Sequence, residues 1–88
     1  MLNRSVIVVN SRGLHARAAA KFVKLVTAFD AEISVSRNGQ TISGASIMGL
    51  MMLAASQGTE LTLSARGKQA KMALDAICEL IKCGFEED

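Results

Sequence analysis

Val6, Ile7, Val8 and Val9 form a β-branched block, and Ser5 to Val9 reads as a first strand. Its apolar side chains face both ways, so it is expected at the centre of a sheet. Asn10-Ser11-Arg12-Gly13 supplies turn chemistry. A helix-prone run follows from about Ala16 to Ala28, with Ala19, Phe22, Val23 and Val26 as its apolar stripe. Glu32 to Ser36 alternates polar and apolar, as a half-buried strand does. Asn38-Gly39 then marks a type I′ hairpin turn, and Gln40 to Ser43 is the returning strand, closed by Gly44-Ala45.

Ser46 is placed to cap a short helix from Ile47 to about Ala54. That helix is apolar on nearly every side. Leu50 and Leu53 are expected to face the core, leaving Ile47, Met48 and Met51 as an exposed patch. The alternative is a helix buried all round. Gln57-Gly58 breaks the chain, and Glu60 to Ala65 alternates as a fourth strand. Gly67 opens a third helix with Ala70, Ala73, Leu74, Ile77, Leu80 and Ile81 at core spacing. Gly84 caps it, Lys82 suits its last turn, and Glu86-Glu87-Asp88 reads as a frayed tail. The order βαββαβα with one-sided strands predicts an α+β fold. It would be an open-faced sandwich, a four-stranded antiparallel sheet with three helices on one face.

Composition narrows the classes. A chain of 88 residues, 50% apolar, is expected to form one domain over residues 1–88. A net charge of +2 and three Phe with no Tyr or Trp give little basis for nucleic-acid binding. Cys78 and Cys83 fit neither a metal-ligand spacing nor a disulfide framework, so reduced thiols in a cytoplasmic protein are expected. The first residues lack the length and cleavage site of a signal peptide. The longest apolar run, Ile47 to Ala55, is far shorter than the roughly 20 residues a membrane span needs.

Candidate chemistry gathers at Gly13-Leu14-His15-Ala16-Arg17. His15 is the only histidine, and it falls at or next to a helix N-cap, where backbone N–H groups lack partners. A helix N-terminus disfavours positive charge and attracts anions, which suits a neutral imidazole with a nucleophilic nitrogen. Arg17, Lys21 and Lys24 share a stripe at spacings of four and three. Such a site can capture a phosphoryl group.

Gly13-Leu14-His15-Ala16-Arg17-Ala18-Ala19 closely resembles the phosphorylation-site motif of HPr, the histidine-containing phosphocarrier of the bacterial phosphotransferase system. Ser46-Ile47-Met48-Gly49-Leu50-Met51 is similar to that family's regulatory serine and the helix after it. The resemblance covers essentially the whole chain. Two departures stand out: Ala18 where the family commonly has proline, and Ala45 where relatives often have lysine or another polar residue.

The resemblance implies a phosphocarrier rather than an enzyme. Enzyme I, charged by phosphoenolpyruvate, would phosphorylate His15 on Nδ1, and an enzyme II A-type acceptor domain would receive the group for sugar uptake. Arg17 and the backbone amides of Ala16 and Arg17 would hold the phosphate. Ala20, Lys24, Ile47, Met48 and Met51 would dock partners, and a serine kinase and phosphatase would act on Ser46. No metal or organic cofactor, nucleic acid or membrane insertion is implied, and a monomer is expected. The rival reading is a regulatory binding module, including the family's nitrogen-related branch, in which Ser46 and the Met-rich helix matter most.

Overall fold

A computed structural model describes residues 1–87. Its elements are β1 (Leu2–Ile7), α1 (Ala16–Val26), β2 (Glu32–Arg37), β3 (Gln40–Ser43), α2 (Ile47–Met52), β4 (Glu60–Arg66) and α3 (Ala70–Lys82). The strands form one antiparallel sheet in the order β1-β4-β2-β3. Ile33 and Val35 of β2, Leu61, Leu63 and Ala65 of β4, and Val6 of β1 face a single core. α3 packs over β1 and β4, α1 packs on α3 and α2, and α2 reaches β3. The other face is polar, with Ser36 and Thr41 bonded across the hairpin at 2.8 Å and Ser64 donating to Asn3 at 2.7 Å. Ile7, opposite Glu60, is the large apolar side chain exposed there, too little to reward a covering layer, so the sandwich stays open.

Local chemistry sets the turns. Asn38 and Gly39 both have positive φ, 50° and 80°, as a type I′ turn requires. Arg37, beside that turn, donates to Leu53 O at 2.6 Å and Ala54 O at 2.9 Å, covering carbonyls that the end of α2 leaves free. Asp30 and Gln69 exchange bonds of 2.7 and 3.0 Å, which anchors the start of α3.

Several boundaries differ from the sequence reading. The first strand begins earlier, because Leu2, Asn3 and Arg4 pair with Ala65, Ser64 and Leu63. It is an edge strand, bonded to β4 alone, not a central one. Val6 and Val8 are buried, but Ile7 and Val9 are 44% and 45% exposed. β-branched residues favour extended backbone whichever way they face, so the block reported strand geometry and not two-sided burial. α1 ends at Val26, where the chain tightens through Ala28 N–H to Leu25 O and Phe29 N–H to Val26 O. α2 stops at Met52, and α3 starts at Ala70 after Gly67 has turned the chain at φ +119°. Leu50 and Leu53 are buried beneath α2 as expected, whereas Val23 and Leu80 are only half-buried.

Candidate functional site

The site is built on the passage from β1 to α1. Beyond β1 the chain stays tied to the segment before β4: Val8 N–H donates to Thr59 O at 2.9 Å and Gly58 N–H to Val8 O at 2.8 Å. A turn follows in which Gly13 N–H donates to Asn10 O at 3.2 Å. Gly13 has φ +66°, and a Cβ there would stand 2.2 Å from Ala55 O. Only glycine lets the two loops come this close. Leu14 then donates its N–H to Ala55 O at 2.9 Å and buries its side chain. These contacts fix the direction in which the chain enters His15.

His15 is the N-cap of α1, with extended backbone (φ −76°, ψ 177°). The first helical bond runs from Ala19 N–H to His15 O at 2.9 Å. The amides of Ala16, Arg17 and Ala18 precede it and have no intrahelical acceptor. The His15 side chain makes no capping bond, and the first turn contains no acidic residue. The helix therefore presents an open, unneutralised N-terminus.

The imidazole, 18% exposed, sets Nε2 against Oε2 of Glu87, whose side chain is 15% exposed. The other carboxylate oxygen of Glu87 accepts from Asn10 Nδ2 at 3.0 Å, and the same Nδ2 donates to Gly13 O at 2.9 Å. Hydrogen bonds from His15 and Asn10, helped by the charges of His15 and Arg12, hold the Glu87 carboxyl below the ordinary carboxylate range.

The acidic end is thus not frayed at Glu86 and Glu87, while Asp88 lies outside the described residues, and the reason is a turn that the sequence reading missed. Gly84, Phe85 and Glu86 all have left-handed backbone, with φ of 69°, 58° and 62°. For the two non-glycine residues this costs about 1–2 kcal/mol each. Phe85, fully buried, offsets that cost by plugging the core. Lys21 Nζ donates to Phe85 O at 2.7 Å and Glu87 N–H to Gly84 O at 3.1 Å. Gly84 as the residue after the α3 cap was legible. The aromatic after it was the available signal, since a hydrophobic contact often accompanies such a cap. Asn10 carried no signal beyond its turn propensity, yet among the described residues it is the one buried polar side chain.

The remaining sequence candidates fall into three groups. Arg17 is exposed beside His15 and makes no side-chain hydrogen bond among the described residues, and Ala20 and Lys24 are exposed further along α1. Lys21 departs from the expected basic stripe, because it is committed to Phe85 O. On α2, Ile47, Met48 and Met51 form an exposed apolar patch, which Met52 extends at 68% exposure. Ser46 caps α2, its Oγ accepting from Gly49 N–H at 2.9 Å. α2 packs against α1, so the helix that carries the patch is a direct neighbour of the helix that His15 opens. Cys78 is buried and Cys83 exposed, both as free thiols.

This arrangement fits a family of known proteins. The model of the PTS HPr component phosphorylation site matches residues 2–82. Phosphocarrier protein NPr of Shewanella violacea is 45% identical over 86 residues, 98% of this chain and 94% of that protein. Phosphocarrier protein HPr of Cupriavidus necator is 44% identical over 87 residues, 99% of this chain and 98% of that protein. The crystal structure of HPr-C-His from Thermoanaerobacter tengcongensis superposes with a TM-score of 0.95 at 38% identity, covering 100% of this chain and 99% of that one. The chain belongs to the HPr family of phosphotransferase-system phosphocarriers. It is a carrier of phosphoryl groups and not a catalyst. Among the described residues, no helix is long and apolar enough to cross a membrane.

Proposed function

We propose that His15 accepts a phosphoryl group on Nδ1 from enzyme I, charged by phosphoenolpyruvate, and passes it to an enzyme II A-type domain. The observation that carries this reading is the open N-terminus of α1. The amides of Ala16 and Arg17 lack backbone acceptors, no acidic residue occupies the first turn, and the only histidine sits at the cap. A phosphoryl group on this ring meets the positive end of the helix and the Arg17 guanidinium, whose planar fork can hold two phosphate oxygens. Because the P–N bond is labile, the chain needs only to bind, orient and balance charge.

Ala20 and Lys24 on α1, with Ile47, Met48 and Met51 on α2, form the surface on which both partners dock in turn. Methionines adapt to differently shaped surfaces, which suits one site serving two partners. Ser46, at the edge of this patch, is the point of regulation by a serine kinase and phosphatase. We place the protein in the cytoplasm, acting as a monomer. A second reading, the nitrogen-related branch, is favoured by the NPr relative, whose identity to this chain is as high as that of the HPr relative.

Incubation with enzyme I and phosphoenolpyruvate, read by intact mass, tests the acceptor. The wild type should gain one acid-labile, alkali-stable phosphate, and His15→Ala should gain none. A phosphate on His15→Ala would overturn the assignment. Running the same assay with the nitrogen-branch enzyme I separates the two branches by initial rate.

A further inference from the structure

The contact between the C-terminal turn and His15 has no part in the reading given above, although the chain adopts costly backbone to make it. Three consecutive residues, Gly84 to Glu86, are left-handed, and two of them carry side chains. Outliers of this kind persist only where the surroundings over-determine them, and they cluster at functional sites. Here the surroundings are explicit. Phe85 is fully buried, its carbonyl is held by Lys21, and Gly84 lies against Asn10, where a Cβ would stand 3.5 Å from Asn10 Cβ. Everything about the turn aims the next side chain, Glu87, at the ring of His15.

The amide of Asn10 supports that carboxylate from behind. Nδ2 has two acceptors, Gly13 O and Glu87 Oε1, so the amide orientation is set by its neighbours. Asn10 is 7% exposed, and its Oδ1 has no partner among the described residues. An unpaired buried oxygen is tolerated so that the donor can face Glu87.

We propose that Glu87, braced by Asn10, is a positioning residue for phosphoryl transfer that fixes the proton on Nε2 of His15. The inference rests on the reading of His15 as the phosphoryl acceptor and deepens it. A carboxylate hydrogen-bonded to one imidazole nitrogen selects the tautomer in which that nitrogen carries the proton, as it does behind metal-bound histidines and in hydrolase triads. Nδ1 is then left with the lone pair. The ionised state of Glu87 is favoured by the bonds it accepts and by nearby Arg12.

The consequence runs through both half-reactions. On charging, the Nδ1 lone pair attacks phosphorus on the donor phosphohistidine. The donor P–N bond breaks and returns its electron pair to the donor ring. His15 becomes a phosphoimidazolium that keeps its Nε2 proton, and its positive charge faces Glu87. On discharge the acceptor nitrogen attacks phosphorus, the P–Nδ1 bond breaks, and its pair returns to Nδ1. The leaving group is neutral imidazole, and no proton has to move in either direction. Without the carboxylate the phosphorylated ring loses the Nε2 proton more readily, and the leaving group becomes an imidazolate, which departs poorly. Glu87 thus helps the phosphoryl group to leave.

Glu87→Gln keeps the shape and removes the charge, while Glu87→Ala removes both. Imidazole 15N shifts of the unphosphorylated protein should show protonated Nε2 and unprotonated Nδ1 as the dominant neutral tautomer in the wild type, and a mixture in Glu87→Ala. The isolated phosphoprotein, charged by enzyme I at mildly alkaline pH, should hydrolyse severalfold more slowly in Glu87→Gln. Single-turnover transfer to an acceptor domain should slow about tenfold, as loss of a carboxylate behind a reacting histidine does. The backbone spectrum away from the site reports whether either variant has lost the fold, and Phe85 and Lys21 are untouched in both. If the wild type takes no phosphate at His15, the acceptor reading fails. If it does, but Glu87→Gln matches it in lifetime and transfer rate and Glu87→Ala keeps the tautomer, Glu87 has only a structural part and the proposal is overturned.

Discussion

α1 opens on His15 and α2 opens on Ser46, and the two caps share extended backbone and a first turn free of acidic residues. They differ in what the capping side chain does. Ser46 folds Oγ back onto Gly49 N–H, at 2.9 Å, and closes its helix end. His15 makes no such bond and turns its ring to a carboxylate 72 residues away. A closed cap is worth about 1 kcal/mol to the helix that it ends. Leaving the cap open forgoes that stabilisation and keeps backbone donors free for an external anion. Where folding uses the donors the helix end is structural, and where it leaves them free the end can bind phosphate.

The largest effect expected after removal of His15 itself comes from the cation beside the open cap. Arg17→Ala should slow the transfer step about 10- to 100-fold in single-turnover assays with bound partner. Arg17→Lys should recover only part of this, because an ammonium cannot hold two oxygens in a plane. Lys24→Gln should leave the step unchanged and weaken association in a salt-dependent way. Equal step rates for wild type and Arg17→Ala would mean that the amides suffice.

The closed cap offers the converse test. Ser46→Asp places a negative charge at the positive end of α2, so the melting temperature should stay within a few degrees of wild type. The same charge borders the Ile47, Met48 and Met51 patch and should raise the apparent Michaelis constant for enzyme I severalfold. Ser46→Ala should do the reverse, costing about 1 kcal/mol of stability with transfer unchanged. Unchanged kinetics in Ser46→Asp would make Ser46 a cap and nothing more.

Both caps were legible in the sequence, for a shared reason: each lies within a few residues of the pattern that announces it. The hairpin at Asn38-Gly39 and the buried pair Leu50 and Leu53 were legible on the same grounds. What was hidden depends on contacts distant in sequence. The edge position of β1 follows from β4 pairing with both β1 and β2, which no local window contains. Glu87 reaches His15 only because Phe85 finds the core and Lys21 finds the carbonyl of Phe85. With those partners out of view, Glu86 and Glu87 read as a frayed tail, which the contacts of Glu87 overturn. The candidate site was therefore half visible, as His15 and its helix without the carboxylate that meets the ring.

A smaller effect concerns the contact between His15 and Glu87. In the fold the Glu87 carboxyl titrates below its ordinary value of 4.5, because His15 and Asn10 bond the ionised form. A depressed carboxyl contributes stability that is complete above its unfolded value and is lost as pH falls through the folded one. Melting temperatures of wild type and Glu87→Gln should therefore differ at neutral pH and converge in acid, below the ordinary carboxylate range. Asn10→Ala should move the Glu87 midpoint, followed by NMR, back toward 4.5. A midpoint at or above that value in the wild type would show that the contact is not held in solution.

The finest test makes one substitution at the same position of both helices. Ala18 is the third residue of α1 and Gly49 the third of α2. Proline at either removes the amide proton. In α2 that proton is the one Ser46 Oγ accepts, so the cap is broken and its acceptor stranded. A Cβ at Gly49 would also stand 3.1 Å from Ser46 Oγ and 3.3 Å from Ile42 Cβ, so Gly49→Ala must be measured alongside. Gly49→Pro should cost about 1 kcal/mol more than Gly49→Ala. In α1 the amide of Ala18 has no intrahelical acceptor to lose. Ala18 is fully buried, but the ring adds only two atoms, bridging Cβ and the nitrogen, at a first-turn position where proline is tolerated. Ala18→Pro should stay within about 0.5 kcal/mol of wild type and accept phosphate within about twofold of its rate. A loss of phosphate uptake without a loss of stability would add the Ala18 amide to those of Ala16 and Arg17 as a phosphate donor. A loss of stability would mean that the first turn of α1 is held by this amide after all, and that the two caps differ less than their geometry indicates.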